Sequence, residues 1–285
     1  MLKNTFQHIP GIGNKSEADM WSSGVMCWDD LKKDTLSGFS DKKLNRVKEY
    51  IEKSQRHLRD SNTPTYFYET LPSKLHWRFF PEFINSSVYL DIETNGHDAE
   101  NGIITTIALY DGKNIFHYTN GYNLDVFPTD ILKYNLIITY NGKSFDIPFI
   151  EKYFGIKIDH AHIDLRHVLA SLGFKGGLKG CEKALGIDRE DLDGVDGYMA
   201  VLLWNEYIHN NNEKALETLL AYNIEDVLNL DYLMITAYNM KIQETPFKNN
   251  RLKTRPVSEC PFRADINTVK RLMESINHNT NSWYR

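Results

Sequence analysis

Asp91 and Glu93 stand two residues apart in the apolar run Val88-Tyr89-Leu90-Asp91-Ile92-Glu93-Thr94. In a strand, residues i and i+2 share a face, so the two carboxylates stand side by side with Leu90 and Ile92 opposite. Such a pair inside a sheet is unfavourable unless a cation or a proton offsets it, and it is well suited to hold a divalent metal. An edge strand with two solvated acids is the plainer alternative. A third acid, Asp146, closes Tyr140-Asn141-Gly142-Lys143-Ser144-Phe145-Asp146, which leaves a β-rich run and enters a helix. The helix dipole favours a carboxylate in the first turn, and N-terminal capping explains it equally well. Strand ends, however, are where α/β sheets collect ligands, and Asn141 and Lys143 add donors at the same mouth. Tyr222 and Asp226 lie four apart in Tyr222-Asn223-Ile224-Glu225-Asp226, on one face of a helix, with Glu225 turned towards solvent.

Phosphoryl chemistry with two divalent ions needs several carboxylates around metals about 3.5–4 Å apart. Asp91, Glu93, Asp146 and Asp226 supply four, and the Tyr222 hydroxyl, which both donates and accepts, can orient a water beside them. Each motif is weak alone; their order along the chain carries the reading.

The elements that must bring them together follow from periodicity. Residues 88–93, 103–110 and 114–119 read as three strands, with Asp111-Gly112 as a hairpin turn, and two hairpins in a row make a meander. Residues 136–140 and 162–165 read as further strands, each followed by a helix, over 145–154 and 166–172. Helices are also expected over 178–185, 197–210 and 212–239. The expectation is an α/β fold, a mixed five-stranded sheet with helices on both faces.

Ahead of the sheet, residues 1–60 read as a small helical region. His8-Ile9-Pro10-Gly11-Ile12-Gly13 is a tight turn before a helix over 14–22. Gly11 and Gly13 expose backbone N–H groups that can take a phosphate, or merely turn the chain. Residues 44–60 form a helix candidate with Val47, Ile51 and Leu58 near one face. Residues 61–85, with Pro64, Pro72 and Pro81, are a connector whose Tyr66, Phe67, Trp77, Phe79 and Phe80 either pack onto the sheet or stack bases. Residues 86–240 hold the sheet, and 241–285 form an extension with few periodic apolar positions.

The 285 residues carry a net charge of −5, so no basic excess points to nucleic acid. An enzyme that grips a strand end through metal ions needs less basic surface. The average also hides asymmetry: Lys32, Lys33 and seven further Lys and Arg between 42 and 59 precede the acidic strand. Cys27, Cys181 and Cys260 are far apart without C-x-x-C spacing, which argues against a disulfide scaffold and a cysteine zinc site. No apolar run is long enough to span a membrane and the N-terminus lacks a signal pattern, so a cytoplasmic protein is expected, and a monomer.

The acidic stretches resemble the signature of the DEDD superfamily of 3′–5′ exonucleases, which have a ribonuclease H-like fold. Asp91 and Glu93 match its first motif, Asn141, Phe145 and Asp146 its second, and Tyr222 with Asp226 its third, in the tyrosine (DEDDy) branch. More narrowly, residues 86–240 resemble the exonuclease domains described as YprB-like, through Leu-Asp-Ile-Glu-Thr, Tyr-Asn-Gly-Lys-Ser-Phe-Asp-Ile-Pro and Tyr-Asn-x-x-Asp-Val. The N-terminal glycine turn resembles a helix-hairpin-helix module, a non-specific binder of DNA backbone. The resemblance implies two divalent metal ions, Mg2+ or Mn2+, with Asp91, Glu93 and Asp226 as direct ligands and Asp146 holding the second ion partly through water. It implies that Tyr222 positions the attacking water, that Asn141 contacts the terminal nucleotide, and that Thr94 touches it through its backbone. It implies nucleic acid as partner, DNA favoured over RNA, and release of 5′-mononucleotides without a covalent intermediate. The alternatives are an RNA exonuclease, a structure-specific nuclease, or a non-catalytic nucleic-acid-binding protein that keeps the fold.

Other residues compete for attention. Asp164 is either near the site or a loop cap. His160, His162 and His167 cluster without a zinc spacing. Lys175 and Lys179 flank a glycine-rich loop and either meet a backbone phosphate or belong to a solvated mobile loop. Asp188, Asp191, Asp193 and Asp196 lack calcium-loop spacing and read as solvated or helix-capping acids.

Overall fold

Strand β1 (Ser87–Thr94) is the centre of a mixed five-stranded sheet of order β3-β2-β1-β4-β5 in the computed structural model. β2 (Ile104–Tyr110) and β3 (Ile115–Thr119) continue antiparallel on one side; β4 (Leu136–Thr139) and β5 (Ala161–Asp164) run parallel on the other. The structure describes residues 1–31, 39–96, 99–189, 192, 195–256 and 258–282, with side chains to 275. Lys32, Lys33, Asp191 and Asp193 lie outside them.

Around the sheet are α1 (Asn14–Ser22), α2 (Asp41–Asp60), α3 (Thr65–Thr70), α4 (Phe80–Phe83), α5 (Phe127–Asp130), α6 (Asp146–Phe154), α7 (Leu165–Ser171), α8 (Gly177–Ala184), α9 (Gly197–Asn210), α10 (Glu213–Lys241) and α11 (Ile266–Ser282). The alternation along β1 sorts its side chains as a strand must. Val88, Leu90 and Ile92 enter a core with Ile107, Leu109, Phe127 and Phe149, while Tyr89 shares the other core with Ala108 and with Ile224, Val227 and Leu230 of α10. Asp91 and Glu93 therefore face α10.

β1 outruns its parallel neighbour, since β4 pairs with it only from Ser87 to Tyr89. The rest of β1 meets the loop between β4 and α6 instead. Asn141 enters that loop at φ +67°, and Gly142 lies so close to Thr139 that a Cβ there would collide with the threonine side chain. The tight exit starts α6 beside the end of β1 and puts Asp146 at its first residue.

The N-terminal helices share the α10-side core rather than building one of their own: Phe6, Ile9, Trp28, Val47 and Phe67 belong to it. Trp77 meets Tyr238 at 5.7 Å and Trp21 meets Phe247 at 5.4 Å. The connector aromatics Tyr66, Phe67, Trp77, Phe79 and Phe80 are all buried, so they pack. α11 has no counterpart in the sequence reading. Its Val269 and Leu272 pack with Leu203, Trp204 and Leu219, but its many Asn and charged residues blur the apolar spacing. Among the described residues, no helix is long and apolar enough to cross a membrane.

Candidate metal centre

β1 and α10 meet over three carboxylates. Asp91, Glu93 and Asp226 each offer an oxygen within 4.8 Å of the other two, the one such group of potential ligands among the described residues. Asp91 is held in place by Asn223, whose Nδ2 donates to Oδ2 at 2.7 Å; Asn223 Oδ1 accepts from the Thr106 hydroxyl at 3.0 Å. Thr106 lies opposite Glu93 in the β1–β2 register, so the sheet fixes the amide that fixes the acid. Asp146 approaches from α6, and its carboxylate accepts the backbone N–H groups of its own residue and of Ile92, on the stretch of β1 that β4 does not cover.

Charge in this group is poorly compensated. Burial, then the carboxylates of Asp226 and Asp146, push the Asp91 and Glu93 carboxyls well above their ordinary range. Burial likewise lifts Asp146 to about 7, and raises Asp226 against the pull of Arg189. The Tyr222 phenol is raised by burial and by the nearby acids, so it stays a neutral donor and acceptor. A group of carboxylates in this state takes up protons or a cation. The donors are all oxygen, the kind that hard divalent cations take.

The acids form one wall of a cleft of about 790 Å³. Arg166, Lys175, Lys179 and Arg189 also line it, with Gly176 and Gly177 at the start of α8 at φ +94° and +73°. The Lys179 ammonium lies 4.9 Å and the Arg189 guanidinium 5.5 Å from the centre of the Tyr222 ring. A cleft lined by both acids and bases can bind a cation and an anion together.

A model of the RNase_H superfamily matches residues 88–238, more than half of the chain. The chain belongs to the RNase_H superfamily. All five residues of the acid and phenol set lie inside the matched span of this RNase_H-superfamily protein. No curated protein matches the chain. Among solved structures, the family B DNA polymerase from the hyperthermophilic archaeon Pyrobaculum calidifontis is similar at 15% identity and a TM-score of 0.42, over 55% of this chain and 24% of that one.

The remaining sequence candidates scatter. Asn141 lines the cleft, but its amide oxygen is engaged by Ser144 Oγ at 2.7 Å and by Arg166. Lys143 turns away: its ammonium lies 5.3 Å from the Tyr68 ring and it lines a separate cavity, also of about 790 Å³. Thr94 ends β1, nearly buried, where its hydroxyl accepts the Gly96 N–H at 3.3 Å. Gly11 and Gly13 are exposed in the N-terminal turn, between a single 3-10 turn (Leu2–Asn4) and α1, and line neither cavity. Asp164 is a loop cap: it accepts the N–H groups of Asn141 at 2.8 Å, Lys143 at 3.2 Å and Arg166 at 3.0 Å. His162 bonds Thr139 and His160 bonds the Ile131 carbonyl, and no zinc-like group forms among the described residues. Asp196 caps α9. Glu225, expected in solvent, is half-buried, since the C-terminal extension passes near it at Cys260.

Several residues at the site are not among the sequence candidates, Arg166 and Thr106 included. Asn223 stood inside the third motif without a role. Arg189 binds Asp226 and makes a two-pronged pair with Glu182, Nε to Oε2 and Nη2 to Oε1 both at 2.7 Å. Asn229 donates to Glu182 Oε1 at 3.0 Å. The available signal was a lone arginine among the acids of the 188–196 loop.

Proposed function

We propose that this chain is a metal-dependent 3′–5′ exonuclease, YprB-like and of the tyrosine-branch DEDD type, that hydrolyses the terminal phosphodiester of nucleic acid and releases 5′-mononucleotides. DNA is the favoured substrate. The observation that carries the reading is the convergence of Asp91, Glu93 and Asp226 within 4.8 Å, in a cleft that Asp146 and Tyr222 also line. Asp91, Glu93 and Asp226 would hold one divalent ion, and Asp146 would share the second. When bound, magnesium or manganese supplies the charge that eases ionisation of the attacking water and stabilises the departing oxygen. Tyr222 holds that water through a phenol kept neutral by its surroundings. Lys175, Lys179 and Arg166 grip the phosphates next to the scissile one. Phe145, 43% exposed on the cleft wall, offers a ring to the terminal base. Residues 1–60 would act as a helix-hairpin-helix-like grip on the backbone outside the cleft, through Gly11 and Gly13.

The test uses 5′- and 3′-labelled single-stranded DNA, duplex DNA and RNA, with and without manganese, beside Asp91→Ala. Stepwise loss from the 3′ end that requires metal is expected. The variant should fall by about 10³-fold, because a lost ligand removes several kcal/mol of charge stabilisation. Only internal cuts, or activity persisting in the variant, would overturn the reading.

A further inference from the structure

Arg189 is the strongest charge in the cleft that the proposed reaction leaves without a role. Its side chain is only 7% exposed, yet it lines the acid cleft. Glu182 grips it from behind, and Asn229 fixes Glu182 in turn. In front, its Nη2 binds Asp226, a member of the three-carboxylate group. Its Nη1 is buried and has no hydrogen-bond partner. Nη1 is thus a donor that neither Glu182 nor Asp226 uses.

A guanidinium and a divalent cation compete for the same carboxylate. If a cation takes Asp226, like charges meet at contact distance, and the arginine must give up that bond. Glu182 still tethers it, so it stays in the cleft with Nη1 and Nη2 both free to donate. Two adjacent N–H donors on a planar fork match two oxygens of a phosphate better than an ammonium does. Its position above the Tyr222 ring puts it beside the place where the attacked phosphate would lie.

We propose that Arg189 is an exchangeable counter-ion of this centre: it neutralises Asp226 until a divalent cation takes that carboxylate, and it then donates from Nη1 and Nη2 to the non-bridging oxygens of the substrate's terminal phosphate, with Glu182 as its tether. This rests on the metal-dependent nuclease reading and adds to it a residue that senses both ligands.

Two binding measurements on the full chain test it without relying on turnover. The first is Mn2+ binding by calorimetry in the absence of nucleic acid. Arg189→Met should bind Mn2+ roughly tenfold tighter or more, because a buried competitor of the same sign is gone. Glu182→Gln should bind it more weakly, because Arg189 then has Asp226 as its sole carboxylate. Opposite signs cannot come from a shared folding defect, so the pair keeps the proposal exposed even if one variant is less stable. Unchanged or weaker binding in Arg189→Met overturns the exchange. The second measurement is thymidine 5′-monophosphate binding in the presence of Ca2+. Arg189→Met should weaken it about tenfold, in the range of a charge-assisted bond to phosphate, and an unchanged affinity overturns the phosphate role. Asp226→Asn separates the two readings. If it leaves Mn2+ affinity intact, the metal centre itself is wrong; if it abolishes binding while Arg189→Met does not tighten it, only the role of Arg189 fails.

Discussion

Among the described residues two arginine–glutamate pairs are buried, and they sit in opposite electrostatic settings. Glu17, 1% exposed, accepts from Arg78 Nη1 at 2.8 and 3.0 Å, from the Phe6 N–H at 2.8 Å and from Gln7 Nε2 at 2.5 Å. Both oxygens are satisfied, one acid faces one base, and the Arg78 guanidinium is flanked by Trp21 and Trp77 at 5.7 and 5.6 Å. Arg189 faces Glu182 and Asp226, and behind Asp226 stand Asp91, Glu93 and Asp146. A pair balanced in charge ties α1 to the connector, although Arg78 Nε, like Arg189 Nη1, is left without a hydrogen-bond partner. An arginine outnumbered by carboxylates leaves a centre that still lacks positive charge. The same pairing of residue types is thus a clasp in one place and a partial stand-in for a ligand in the other.

The sharpest way to break that contrast is to remove the clasp. Glu17→Ala leaves Arg78 charged, buried and unpaired, which costs about 3–5 kcal/mol. A drop in melting temperature of about 10 °C is expected from a loss of that size. Mn2+ affinity of the protein that remains folded should not change. If the variant melted like the parent, or lost metal binding in its folded state, the two pairs would not have separate duties.

A second effect, somewhat smaller, comes from the other side of the contrast. Asp146 has a folded-state pKa of about 7 against an ordinary value of 3.8. A carboxyl raised in the folded state contributes stability that is fully present below the unfolded pKa and is lost as pH rises through the folded one. Without divalent cations the protein should therefore lose stability between about pH 4 and pH 8, by a few kcal/mol at about 1.4 kcal/mol per unit. Asp146→Asn has no such proton to lose. Its melting temperature, measured by calorimetry in chelator, should exceed that of the parent by a margin that widens as pH rises across this window. Manganese should close the gap at pH 8 by stabilising the parent. A margin independent of pH would mean that the cluster is not short of positive charge.

The sheet and most of the site were legible in the sequence because they rest on short-range rules. Asp91 and Glu93 point together because a strand alternates, and Tyr222 and Asp226 point together because a helix repeats; both need only local geometry. The hairpin at Asp111-Gly112 and the helix start at Asp146 likewise declare themselves in a few residues. What stayed hidden depends on contacts between distant segments. Arg189 meets Asp226 from 37 positions away, and Glu182 holds Arg189 from a separate helix, α8. Lys143 was placed at the cleft mouth by its neighbours in sequence, but it stands next to a φ +67° residue and a glycine pressed on Thr139, and the turn carries it to the other cavity. α11 was hidden by composition: its apolar positions have helical spacing, but polar residues surround them.

A milder change tests how the centre is aimed rather than how it is charged. Asn223 touches no proposed ligand of the protein except Asp91, and Thr106 holds its far end. Supports of this kind typically carry about 10–100-fold in metal affinity when removed. Asn223→Ala should weaken Mn2+ binding by roughly that factor with little loss of secondary structure. Full affinity in this variant would show that β1 alone orients Asp91.

The smallest expected effect is also the most direct test of where the cleft ends. Lys143 is offered to the substrate by its place in the second motif, yet its ammonium rests over Tyr68 and lines the cavity behind the loop. Such a contact contributes about 0.5–1 kcal/mol when partly exposed. If the acid cleft is the whole of the nucleotide site, Lys143→Ala should bind thymidine 5′-monophosphate in the presence of Ca2+ within about twofold of the parent and melt only slightly lower. If longer single strands lose affinity in this variant while the mononucleotide does not, the polymer runs past the Asn141 loop into the second cavity. The two cavities on either side of that loop would then serve one strand, its end over the acids and its body over Lys143.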